Sequence, residues 1–119
     1  MNVRNLLLTL TLGGSLVGSA MAWNPNTVGG GPGKYDPGHP RVNQINQREQ
    51  FQQNRIANGI HNGHLSPYQT AHLEQQEGRL VHNEKRDMAM DGGHLTKYDQ
   101  MKLNHEANHV SKDIYLAKH

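Results

Sequence analysis

Nine histidines are spread over a 119-residue chain that contains no cysteine. Two of them, His105 and His109, stand four residues apart in the run His105-Glu106-Ala107-Asn108-His109. On a helix that spacing puts both imidazoles on one face, where they can share a zinc, copper or nickel ion. The run also matches the H-E-x-x-H pattern, in which the glutamate acts as general base on a metal-bound water. Little else that such an enzyme needs is present. No residue in 110–119 fits the third-ligand spacing of the large zinc-protease classes, and no alternating strand pattern is available to align a peptide. We read the pair as a bare metal-binding element and the protein as not an enzyme.

A second group of donors lies in Asp87-Met88-Ala89-Met90-Asp91-Gly92-Gly93-His94. Two thioethers and an imidazole suit Cu(I) or Ag(I), soft ions that can be held without thiols. If a helix runs through both methionines they face different ways, and methionine is more often a core filler than a ligand. The candidate metal ligands are thus His105 and His109 first, then His94, Met90 and Met88, with His61 and His64 as a further weak pair. The ion expected is copper, zinc or nickel. The competing reading is a non-catalytic envelope or protein-interaction module whose histidines are incidental. Three or more converging imidazoles or thioethers favour metal; dispersed histidines beside an apolar patch favour a protein partner.

The elements that must position these donors are legible in an internal repeat. Gly63-His64-Leu65-Ser66-Pro67-Tyr68 recurs thirty positions later as Gly93-His94-Leu95-Thr96-Lys97-Tyr98. Each copy has a turn glycine, a leucine, a hydroxyl residue suited to an N-cap and then a helical pattern. Ser66 with Gln69, and Thr96 with Asp99, read as capping boxes, with Pro67 at a first helical position where its missing N–H costs nothing. Leu65 and Leu95 precede the caps as hydrophobic staples. Leu73, Leu80 and Val81, reaching toward Met88, form the stripe of one helix. Leu103, Ala107, Val110, Ile114 and Ala117 form the seam of the next. A less regular helix is expected over about 42–58, burying Ile45, Phe51 and Ile56. The fold expected is an all-α small helical bundle built from two helix-loop-helix repeats sharing a middle helix, preceded by a disordered arm.

The first residues give the address. Arg4, the apolar run 6–17 and the small residues Ala20-Met21-Ala22 read as a signal peptide over residues 1–22, too short for a comfortable membrane anchor and without a cysteine to accept a lipid. The expectation is a periplasmic or secreted bacterial protein with no stable membrane insertion after cleavage. Residues 23–40 are dense in glycine and proline and read as a flexible arm, leaving 41–119 as the helical repeat domain. The charges, 12 Lys and Arg against 10 Asp and Glu, are interspersed rather than clustered. That argues against a nucleic-acid partner and leaves a metal ion or another protein. Without disulfides and with one Phe and one Trp, the small domain should be marginally stable. Sequence does not set its oligomeric state.

The pattern Arg55-Ile56, glycine, glycine-x-Leu-Ser/Thr, then a long polar helix ending in Val110-Ser111-Lys112-Asp113-Ile114-Tyr115, resembles an uncharacterised family of small exported bacterial helical-repeat proteins over most of 45–119. The resemblance implies export and a helical repeat and no activity. Gly93, Leu95, Thr96 and Asp99 are also similar to the second half of an EF-hand calcium loop. The places that should supply the first oxygen ligands hold Met88, Met90 and Gly92 in this copy and Asn58, Ile60 and Asn62 in the other, so calcium is not expected.

Overall fold

The computed structural model describes residues 29–119; the leader expected at 1–22 and the arm through residue 28 lie outside the described residues. Three helices follow one another, α1 Pro40–His61, α2 Pro67–Met90 and α3 Lys97–Lys118, and each packs on both of the others. The cross-helix bonds fix their directions. Pairings of α1 with α3 advance together along both helices, from Gln44 with Asn104 to Arg55 with Ser111. Those of α2 with α3 run oppositely, from Gln69 with Ala117 to Asn83 with Glu106. The result is an up-down-up bundle in which α2 belongs to both helix-loop-helix units. Among the described residues no helix is long and apolar enough to cross a membrane.

Both helix starts work as their sequences dictate. Ser66 Oγ accepts from Gln69 N (3.1 Å) while Gln69 Oε1 accepts from Ser66 N (2.9 Å). Thr96 Oγ1 accepts from Asp99 N (3.0 Å) while Asp99 Oδ2 accepts from Thr96 N (3.1 Å). Each box satisfies two backbone groups that would otherwise lack partners. Leu65 and Leu95 are buried just ahead of the caps. Leu65 lies so close to α1 that a Cβ on Gly59 would come within 2.6 Å of its Cδ1, so glycine is the residue that lets this loop fold back.

Gly63 and Gly93 have φ of +78° and +94°, with nothing within 4 Å of an added Cβ. The cost of a side chain there is conformational rather than steric. Gly93→Ala should therefore lower unfolding free energy by about 1 kcal/mol without changing helix content, as read by urea melts and circular dichroism.

The core is two apolar clusters separated by a polar layer. Val42, Ile45, Leu80, Met88, Leu95, Leu103 and Ala107 fill one end. Ile56, Leu65, Leu73, Val110 and Ile114, with Ala117 against them, fill the other. Two core expectations need correction. Phe51 is 66% exposed, because the buried side of α1 is Val42, Ile45, Asn46, Glu49, Gln52, Ile56 and Gly59, a stripe that rotates Phe51 outward. Val81 is only half-buried, since Leu80 and Glu84 take the inward positions of α2.

Glutamine, asparagine and arginine do much of the joining. Gln44 and Asn104 exchange amide bonds of 3.1 and 2.9 Å, Gln52 Nε2 donates to Ala107 O (2.8 Å), and Arg55 donates to Ser111 Oγ and O (2.6 and 3.0 Å). This polar rail between α1 and α3 lets a chain with few large aliphatics close a bundle.

Residues 29–39 form neither helix nor strand ladder, as the glycine and proline content requires, yet they are laid down on α1 as a strap. Asn46 accepts from Gly31 N (3.0 Å) and donates to Gly29 O and Lys34 O (3.0 Å each). Asn43 exchanges bonds with the Asp36 backbone, accepting from N (2.7 Å) and donating to O (3.0 Å). Pro40 stands in the first turn of α1, so that helix starts slightly earlier than the apolar pattern alone indicates.

Candidate functional site

α3 carries His105 and His109 on its exposed face, with ring centroids 5.1 Å apart and planes nearly perpendicular. One helical turn accounts for the juxtaposition. Glu106 is turned away from the role its motif implies. Its carboxylate accepts from Asn83 Nδ2 on α2 at 3.0 and 3.1 Å and serves the interface between the two helices.

The second group of candidate ligands is not assembled as a unit. α2 continues through both methionines. Met88 is buried in the first core cluster, whereas Met90 is 76% exposed. Two positions apart on one helix, they point to nearly opposite sides of it, about 200° apart around the axis, so the two thioethers cannot converge. His94, exposed beyond the end of α2, stacks instead on His39 with centroids 6.1 Å apart, across a shallow depression lined also by Arg41, Val42 and Leu95. His39 is held by Asp36, with Nδ1 3.1 Å from Oδ1. Their separation in sequence hides this histidine pair from any spacing argument. Among the described residues no group of three or more His, Cys, Asp or Glu side chains is arranged to hold a metal ion.

What sequence reading missed lies inside the bundle. Glu49, Glu77 and Glu84 are 0–1% exposed, and apart from the pairing of Glu49 with Glu84 and the Gly31 amide beside Glu84 their six carboxyl oxygens find no donor among the described residues. Glu49 on α1 and Glu84 on α2 face one another closely enough to share a proton. Burial, then the neighbouring Glu84, pushes Glu49 up to about 11. Burial pushes Glu84 up to about 7, against the lowering pull of its bond with Glu49, the Gly31 amide, Lys85 and Lys34. Burial, then Glu74, raises Glu77 well above the ordinary carboxylate range, opposed by Arg48 and Arg55. Glu74 is raised by burial in turn, although Gln53 donates to it at 2.9 Å. Charging such groups without partners is expensive, so the folded state holds protons here at pH values where free glutamate has none.

A signal for this cluster exists in the sequence. The thirty-residue repeat superposes Leu73 on Leu103, Glu77 on Ala107, Leu80 on Val110 and Glu84 on Ile114. Because every residue of the α3 series is a core position, the two glutamates must be inward-facing as well.

The described residues thus define a three-helix bundle with an exposed histidine pair and a buried acidic layer inside. No protein-family model matches the chain, and neither the curated proteins nor the solved structures provide a match.

Proposed function

We propose that the chain is a non-catalytic exported helical protein that takes up a transition metal, zinc, copper or nickel, at His105 and His109. The observation that carries this reading is the adjacency of the two exposed rings on one face of α3. Neutral imidazole is a ligand for all three metals, and a helix supplies the pair already spaced. Two ligands leave the remaining coordination positions to water, which suits buffering or sequestration rather than a permanent structural ion. Export rests on the charged, apolar and small-residue pattern of the first twenty-two residues and on the resemblance to small exported helical-repeat proteins.

The exposed Tyr98 and Met101, each 63% exposed on the same helix, support a second reading, a protein-interaction module that uses this face. Titration calorimetry with zinc, copper and nickel, at neutral pH in a non-coordinating buffer, separates the two. The parent should show a binding event of modest affinity that disappears in the His105→Gln, His109→Gln double variant with its circular dichroism unchanged. Metal uptake should also weaken in acid, because binding consumes unprotonated imidazole. Equal binding by the double variant would remove the metal assignment from this helix face and leave the interaction reading.

A further inference from the structure

We propose that residues 29–39 are a pH-sensitive strap, closed over the Glu49–Glu84 pair while the pair holds its full complement of protons and released as it gives one up. The geometry begins at Gly30. This residue is buried directly against Glu84 and Met88: an added Cβ would lie 3.0 Å from the Glu84 carboxyl carbon, 3.2 Å from its Oε1 and 3.1 Å from the Met88 sulfur. The strap therefore forms one wall of the compartment that keeps the carboxyl out of water. A closed strap disfavours the charged form, and by linkage the charged form disfavours the closed strap by the same factor.

The surroundings make the pair the group that decides. α1 contributes Glu49, and α2 contributes Glu84 with Glu77 as a further anion and Lys85 as a cation. The strap contributes Lys34 and the Gly31 amide, both of which lower Glu84 without cancelling the effect of burial. From α3 the inward side chains in this cluster are Leu103 and Ala107, which offer no charge or donor. The strap is separable from the helices because the bonds it makes to Asn43 and Asn46 are its own, whereas the apolar clusters and the α1–α3 rail hold the bundle. Opening would hydrate the pair and uncover the Met88 end of the first core cluster, while leaving the α1–α3 rail and the second cluster in place.

Residue-resolved amide hydrogen exchange on the full chain tests this between pH 5 and 9. The amides to follow are Gly31, bonded to Asn46 Oδ1, and Gly33, bonded to Asn46 O at 3.2 Å, with amides in the middle of α3 as internal standard. If opening is coupled to the loss of one proton, strap protection factors should fall by up to about tenfold per pH unit as pH rises toward the titration of the closed pair and level off above it, while those of α3 hold. Glu84→Gln, which keeps the shape and cannot ionise, should make strap protection independent of pH. Should that variant fail to fold, the Glu49 and Glu84 carboxyl carbon shifts of the parent decide instead, since they must titrate at the pH where the fall in strap protection levels off. Three results would each overturn the proposal: pH-independent strap protection in the parent, parental pH dependence in Glu84→Gln, or loss of strap and α3 protection together.

Discussion

Thermal and urea denaturation should show the protein most stable near pH 5 and losing on the order of 3 kcal/mol or more by pH 8, the reverse of ordinary acid denaturation. Glu49, Glu77 and Glu84 all have folded-state pKa values raised above that of an unfolded chain, Glu84 to about 7 and Glu49 to about 11. A raised carboxyl favours the folded state fully below its unfolded value, since both states are then protonated. Above that value the unfolded chain ionises freely while the fold must either keep the proton or bury a charge. Stability therefore falls as pH rises from the unfolded glutamate value through the folded one, by about 1.4 kcal/mol per pH unit for each proton retained. Against a typical domain stability of about 5–15 kcal/mol, that slope governs the pH range in which this bundle survives. A midpoint unchanged from pH 5 to pH 8 would mean that the three carboxyls meet water or a cation, contrary to their burial.

The backbone was far more legible than the interior. Turn glycines, capping residues and the regular seam of α3 are local signals, and Ser66, Thr96, Gly63 and Gly93 all occupy the positions their chemistry demands. The acidic layer was hidden because periodicity arguments count apolar residues, and Glu49, Gln52, Glu77 and Glu84 leave gaps in the stripes of α1 and α2 where core positions actually lie. Those gaps also explain the error over Phe51, which looked like the only large residue available to fill the middle of α1. The histidine pair was legible because a single turn of helix makes it. His94 with His39 was not, because that contact depends on where the strap meets the end of α2. Met88 and Met90 stand between these cases: their divergence on a helix follows from their spacing, while the continuation of α2 through both of them decided that Met88 is inside and Met90 outside.

Replacing both members of the facing pair, in the Glu49→Met, Glu84→Met double variant, should stabilise the bundle by about 1–4 kcal/mol at pH 8 and change it much less at pH 5. Methionine has nearly the length of glutamate, adapts its rotamers to irregular space and removes four buried carboxyl oxygens that find little among the described residues besides each other and the Gly31 amide. The repeat supports the exchange, since the α3 counterpart of Glu84 is Ile114, an apolar residue fully buried in the equivalent seam. A single truncation should behave oppositely. Glu84→Ala leaves Glu49 facing a cavity without the group that shares its proton, so stability should drop at every pH. For a domain of this size the double variant's gain corresponds to a rise in Tm of at least about 4 °C at pH 8, with a smaller slope of Tm against pH than the parent's. The comparison also bears on the strap: with no carboxyl to ionise behind Gly30, residues 29–39 should stay closed across the whole range. A double variant less stable than the parent at pH 8 would show that the buried acids are held by a partner worth more than the apolar contacts replacing them, and that the interior is a binding compartment rather than a store of protons.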